Sequence, residues 1–118
     1  MCKKVYLICT VRQQTEKEGT IFDEYVKELK AKGVDVYYPM RDAPQDSITG
    51  YEIVEDELRA IKEADEIHVF WNVESKGSHF DLGMAYALRK KIKIVHLFQE
   101  DPPDKKTYVK AIAEYNKK

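Results

Sequence analysis

The 118-residue chain contains no GxGxxG, no GxxxxGK[ST] and no GxSxG. Their absence removes support for dinucleotide redox chemistry, phosphate-loop ATP hydrolysis and serine hydrolysis. Cysteine is scarce: only Cys2 and Cys9 occur, and Met1-Cys-Lys-Lys lacks the apolar core of a signal peptide, so a reducing cytoplasm is the expected setting. Cys9 closes a predicted strand, where a packed thiol is expected rather than a reactive one. No apolar run approaches the ~20 residues that span a bilayer, so no membrane partner is expected. His68, His79 and His96 are scattered, with no cysteine or carboxylate at metal-ligand spacing, so no metal site is expected. Nor does either charge dominate. Twenty basic residues against 21 acidic ones leave a formal charge of −1, so no global field attracts a nucleic-acid polymer, and any anion must be bound locally.

What is present reads as one globular domain over residues 1–118, with 43% apolar and 35% charged residues. Lys4 to Thr10 is a nearly continuous apolar run, the pattern of a central strand covered on both faces. Val11 to Gly19 reads as a polar loop, after which Phe22, Tyr25, Val26 and Leu29 recur at helical spacing until Gly33 supplies a stop. Val34 to Pro39 is a second strand, ended by proline. Met40 to Ile48 is a surface loop, either a plain connection or a lid. Thr49-x-x-Glu52 has the form of a capping box, opening a helix whose buried stripe is Val54, Leu58 and Ile61. Glu55, Asp56 and Glu57 lie beside that stripe, as a solvated face would. A third strand spans Asp65 to Trp71, a fourth Lys91 to Phe98, and a last helix carries Tyr108, Ile112 and Tyr115. Strands alternating with helices imply an α/β, flavodoxin-like three-layer sandwich with a four- to five-stranded parallel sheet in the order 2-1-3-4.

The stretch from Asp65 to Arg89 organises the chain: a β-rich run, a polar turn with Gly77, then a helix. Phe80, Met84, Ala87 and Leu88 are spaced to pack back on the sheet. Asp81 is expected in the first helical turn, where Ser78-x-x-Asp81 resembles a capping box, so a structural role stands beside a chemical one. In this topology the loops after strands 1 and 3 open on one crevice at the switch point of the sheet, bringing Thr10 to Arg12 opposite Ser75 to Asp81. Arg12, the hydroxyls of Thr10, Ser75 and Ser78, and amides at the helix start could cradle a small anion there. Two carboxylates beside such a site suit cleavage of a glycosidic bond, one attacking the anomeric carbon while the other handles the proton.

These residues resemble the nucleoside 2-deoxyribosyltransferases and the related 2'-deoxynucleoside 5'-monophosphate N-glycosidases. Val5-Tyr-Leu-Ile-Cys-Thr-Val-Arg12 is similar to the family's first strand and phosphate loop, and Ser75-x-Gly-x-x-Phe-Asp-Leu-Gly-x-Ala85 to its signature. The resemblance implies that Asp81 stands where the family has its nucleophilic glutamate, that Glu57 stands where it has a catalytic aspartate, and that Tyr6 matches a first-strand tyrosine of the site. It likewise implies phosphate contacts by Thr10, Val11 and Arg12. Ser75 matches the position that is serine in the monophosphate hydrolases, which points to a 5'-phosphorylated substrate. Gly77 and Ser78 fall within the signature. Thr107 falls near a hydroxyl lent by a neighbouring subunit, implying a homodimer. No cofactor is implied; the partner is a small nucleotide or nucleoside.

Two departures bear on the chemistry. Asp81 is one methylene shorter than the expected glutamate, and Glu57 one methylene longer than the expected aspartate, which would compensate across a site of similar width. Two alternatives stay open at this point: a non-catalytic nucleotide-binding or signalling module, and an NAD-cleaving domain of the Toll/interleukin-receptor type.

Overall fold

The computed structural model describes residues 2–118. Four parallel strands, β1 (Lys4–Ile8), β2 (Asp35–Tyr37), β3 (Glu66–Trp71) and β4 (Lys91–Leu97), form one sheet in the order β2-β1-β3-β4. The helices are α1 (Glu16–Ala31), a single turn α2 (Pro39–Asp42), α3 (Tyr51–Glu63), α4 (Lys76–Ala87) and α5 (Tyr108–Asn116). Strand order and fold class are those expected from the alternation of elements.

Successive β1 side chains enter different layers, as the pleat requires. Tyr6 and Ile8 join Ile61 of α3, Leu82 and Ala85 of α4 and Ile112 of α5 on one face. Leu7 and Cys9 join Phe22 and Val26 of α1 with Phe70 of β3 on the other. Continuous apolarity in β1 is thus the consequence of helices on both sides. At the β3–β4 pairing the register slips between Val69 and Phe70, whose partners are Ile94 and His96. The extra residue in β4 lets Ile92, Ile94 and Leu97 pack on the same layer despite their mixed parity.

Three local expectations are corrected. The segment read as a loop to Gly19 is already helical from Glu16: the Thr15 hydroxyl accepts the Glu18 N–H, and the Glu18 carboxylate accepts the Thr15 N–H at 3.0 Å, a complete capping box. Helix α3 is not capped by Thr49. Gly50 precedes it in the left-handed region at φ 89°, and the Ser47 hydroxyl accepts the Gly50 N–H and donates to Glu52. Finally, α4 buries Ser78, Asp81, Leu82 and Ala85, whereas Phe80 is 53% and Leu88 37% exposed. Apolar residues surround this helix, so their spacing specifies no single face, and the face chosen is the one whose polar groups find partners.

The first half of the expected 40–48 loop is pinned down. It holds the α2 turn, Arg41 donates to the Val36 carbonyl at 2.6 Å, and Asp42 accepts the Tyr38 N–H at 2.8 Å. Its far end is open, with Ile48 exposed. Among the described residues no helix is long and apolar enough to cross a membrane.

Candidate active site

Helix α4 begins at Ser75. The Ser75 hydroxyl accepts the Ser78 N–H at 3.3 Å and donates to the Ser78 hydroxyl at 2.8 Å. Because the cap is Ser75 rather than Ser78, Asp81 stands in the second turn, out of range of the orphan amides that reward an acidic first turn. Capping therefore gives no account of Asp81.

Its environment does. Asp81 is 6% exposed, and its Oδ2 accepts the hydroxyl of Tyr6, itself fully buried, at 2.9 Å. Glu57 comes from α3 and lies close enough for its charge to act on both Asp81 and Tyr6. Burial, followed by the charge of Glu57, pushes the Asp81 carboxyl up to about 8, while the Tyr6 hydroxyl opposes that rise. Burial likewise raises Glu57 above the usual carboxylate range. Burial and their mutual repulsion both disfavour ionising the two groups together, so the pair holds on to a proton to higher pH than an isolated carboxyl would. Burial and the two carboxylates drive the Tyr6 phenol far up, leaving it a permanent donor.

The expected anion-binding residues are placed more loosely. Thr10 is buried, and its Oγ1 is the buried side-chain atom without a hydrogen-bond partner among the described residues. The following loop turns sharply, with Gln13 at φ 58° and the Gln14 amide donating to the Thr10 carbonyl at 2.7 Å. Val11 is half-buried and Arg12 exposed. The β1 and β3 loops are neighbours, since Ile8 pairs with Val69, and the Asn72 amide donates to the Glu18 carboxylate. Ser78 is buried; Gly77 is exposed, and a Cβ there would meet nothing within 4 Å. The Thr107 hydroxyl is engaged within its own chain, accepting the Lys110 N–H at 3.2 Å as the cap of α5. Cys9 is buried as expected, and burial with nearby Asp81 holds its thiol protonated.

Two residues outside the expected set adjoin the carboxylates. Tyr37 is the register partner of Tyr6 and stacks on it, with ring centroids 5.2 Å apart and planes 9° off parallel. Its hydroxyl donates to Asp56, the residue expected to be solvated. Aligning β1 with β2 would have brought the two tyrosines together; nothing in α3 alone distinguishes Asp56 from Glu55.

Two cavities lie nearby, and neither is lined by Tyr6, Glu57 or Asp81. One of about 690 Å³ opens beyond the carboxyl ends of β3 and β4, among Trp71, His79, Gln99, Thr107 and Tyr108. Another of about 360 Å³ lies between β2 and α3, bordered by Tyr37, Arg41, Asp56 and Arg59. Among the described residues no group of three His, Cys, Asp or Glu side chains is arranged to hold a metal ion.

Fold and site together define an α/β protein in which a buried aspartate, hydrogen-bonded to a buried tyrosine, stands beside a second carboxyl group at the switch point of a parallel sheet. A sequence profile of the nucleoside 2-deoxyribosyltransferases matches residues 5–112, and the chain belongs to that family. The structure of a CMP N-glycosidase from Clostridium botulinum is similar, with a TM-score of 0.71 and 22% identity over 97% of this chain and 84% of that one. A 2-deoxyribosyltransferase from Bacillus psychrosaccharolyticus gives a TM-score of 0.63 and 19% identity over 82% of this chain and 86% of that one. No curated protein matches the chain.

Proposed function

We propose that this chain cleaves the N-glycosidic bond of a small nucleotide or nucleoside, with a nucleoside 5'-monophosphate the favoured substrate. The observation that carries the reading is the Tyr6–Asp81–Glu57 constellation: two neighbouring carboxyl groups whose ionisation burial disfavours, one of them oriented by a buried phenol, which in this reading share one proton. Asp81 attacks the anomeric carbon once the shared proton has moved to Glu57, a transfer internal to the pair. As the Asp81–sugar bond forms, the bond to the base breaks, the base nitrogen takes the electron pair, and Glu57 delivers the proton to it. Water or a second base then bonds to the anomeric carbon as the Asp81–sugar bond breaks, and Glu57, now a carboxylate, takes the proton that the incoming group loses. Tyr6 donates to Asp81 throughout, which orients its free oxygen.

The phosphate would lie over the start of α4, against Ser75, Gly77 and Ser78, with Thr10, Val11 and Arg12 across the crevice. The buried, unpartnered Thr10 hydroxyl supports a polar ligand on that side. A homodimer in the cytoplasm belongs to the same proposal: Val73 and Tyr108 line the larger cavity, are 53% and 64% exposed, and would be covered by a second copy. The compactness of the whole as one domain over 1–118 is proposed with it.

Incubation of purified protein with ribo- and deoxynucleoside 5'-monophosphates, the matching nucleosides and NAD, with chromatography for released base, tests the reading. Base released by the wild type and not by Asp81→Ala is the expected result. Release that persists in Asp81→Ala overturns the assignment of the nucleophile. No release from any substrate overturns the proposed reaction.

A further inference from the structure

We propose that Tyr37 and Asp56 are positioning residues that brace Tyr6, and through it Asp81, against the helix that carries Glu57. The inference rests on the carboxyl pair being the reacting site.

Each link is a separate contact. Tyr6 and Tyr37 are register partners on adjacent parallel strands, so their side chains leave the sheet on the same face. Their rings lie nearly parallel at 5.2 Å, the offset arrangement that aromatic quadrupoles favour. The Tyr37 hydroxyl donates to Asp56 Oδ2, which fixes the far end of that ring to α3. Asp56 is itself held by Arg59, whose Nη2 donates to Oδ1 at 3.0 Å while Nη1 reaches Glu63 at 2.6 Å. Asp56 directly precedes Glu57, so the backbone that anchors Tyr37 also carries the second carboxyl group. A ring covered by Tyr6 and pinned at its hydroxyl cannot slide. Tyr6, confined by it, cannot swing away from Asp81.

The charges around the brace are consistent with its direction. Burial and the bond to Asp56 raise the Tyr37 phenol, keeping it a donor, and Tyr37 and Arg59 hold the Asp56 carboxyl low, keeping it an acceptor. Asp42, at the end of α2, raises both groups slightly. Space filling alone would not call for this arrangement, because phenylalanine would stack as well and a partly exposed carboxylate fills little core. What the hydroxyl–carboxylate contact adds is a fixed separation between β2 and α3, and with it between Tyr6 and Glu57.

Tyr37→Phe keeps the stack and removes the anchor, Asp56→Asn weakens the anchor from the other side, and Tyr37→Leu removes both stack and anchor. Carboxyl-carbon NMR titration of Asp81 and Glu57 reads the geometry of the pair without substrate. The brace predicts that Tyr37→Phe, which leaves the neighbouring carboxylates in place, moves the midpoints of the pair by about half a pH unit or more; Asp56→Asn also removes a charge that raises Glu57 directly and is therefore read by kcat. It also predicts that kcat for base release falls about fivefold, with KM within about twofold of wild type. Tyr37→Leu should exceed both effects. A lower melting temperature with an unmoved titration in Tyr37→Phe and an unmoved kcat in both Tyr37→Phe and Asp56→Asn would overturn the brace, leaving Tyr37 a packing residue. If the wild type releases no base while the titrations still shift, the proposed reaction fails and the brace stands.

Discussion

The Tyr6 hydroxyl donates to Asp81 Oδ2 at 2.9 Å, tying the middle of the first strand to a helix that begins more than 60 residues later. Both groups are buried, so neither has water to replace the other. Tyr6→Phe should cost about 1–3 kcal/mol of stability, the penalty for stranding a buried polar group. It should also strengthen the hold of Asp81 on its proton, because the opposing contribution of the phenol is gone. Urea denaturation with and without the substitution, together with base release at pH 7, measures the two effects separately; both should fall.

A pH dependence follows from the direction of the Asp81 shift. Its folded-state value, about 8, exceeds the ordinary 3.8, so the folded protein binds a proton that the unfolded chain has released. The corresponding stability is fully present below about pH 4 and declines as pH rises, by up to ~1.4 kcal/mol per unit, until it is lost above about pH 8. Asp81→Asn cannot titrate there. The stability of the wild type relative to Asp81→Asn, followed by urea midpoints from pH 4 to 9, should therefore fall with rising pH; a flat difference would contradict the shared proton. Under the proposed mechanism base release should also decline as pH rises and the pair loses the proton that Glu57 delivers.

Exchanging the carboxyl lengths tests whether the site is tuned by its total width. Asp81→Glu and Glu57→Asp should each lower kcat roughly tenfold or more, through misplacement of about one methylene. The double substitution should outperform both singles. Additive losses in a double-mutant cycle would show that the two lengths are independent.

Gly77 separates two meanings of a glycine within a signature. It has no left-handed backbone requirement and a Cβ there meets no protein atom, so Gly77→Ala should stabilise α4 by up to ~1 kcal/mol. If a phosphate approaches this turn closely, the same substitution should raise KM for nucleoside monophosphates tenfold or more while leaving that for nucleosides unchanged. Thermal melting and steady-state kinetics on matched substrate pairs provide the comparison.

Much of this is legible in the amino-acid sequence. The continuous apolarity of β1, the alternation of strand and helix, and the turn after Trp71 were enough for the sheet order. The resemblance to known glycosidases drew attention to Tyr6, Glu57 and Asp81, which the fold does bring together. Helix starts were read less well, because a Thr or Ser three residues before Glu or Asp occurs at true and false caps alike: Thr15 caps a helix, while Thr49 and Ser78 do not. The buried face of α4 departs from its apolar spacing for a different reason. Asp81 and Ser78 are buried by partners distant in sequence or at the preceding cap, and periodicity counts only apolar residues. Tyr37 and Asp56 escaped notice because their contact joins β2 to α3, a tertiary relation with no local pattern.

The outer strands have a bearing on how copies of the molecule can meet. β2 has only three residues and runs through Tyr38 into Pro39, which has no N–H to offer. β4 carries exposed Lys91 and Lys93 and an extra residue opposite Val69 and Phe70 that interrupts its ladder. Neither border offers a long, flat row of backbone groups, so strand addition between molecules is disfavoured at both, which protects against fibrillar aggregation. A dimer of this protein would consequently be joined through side chains on its helices and loops rather than through a sheet continued from one subunit into the next.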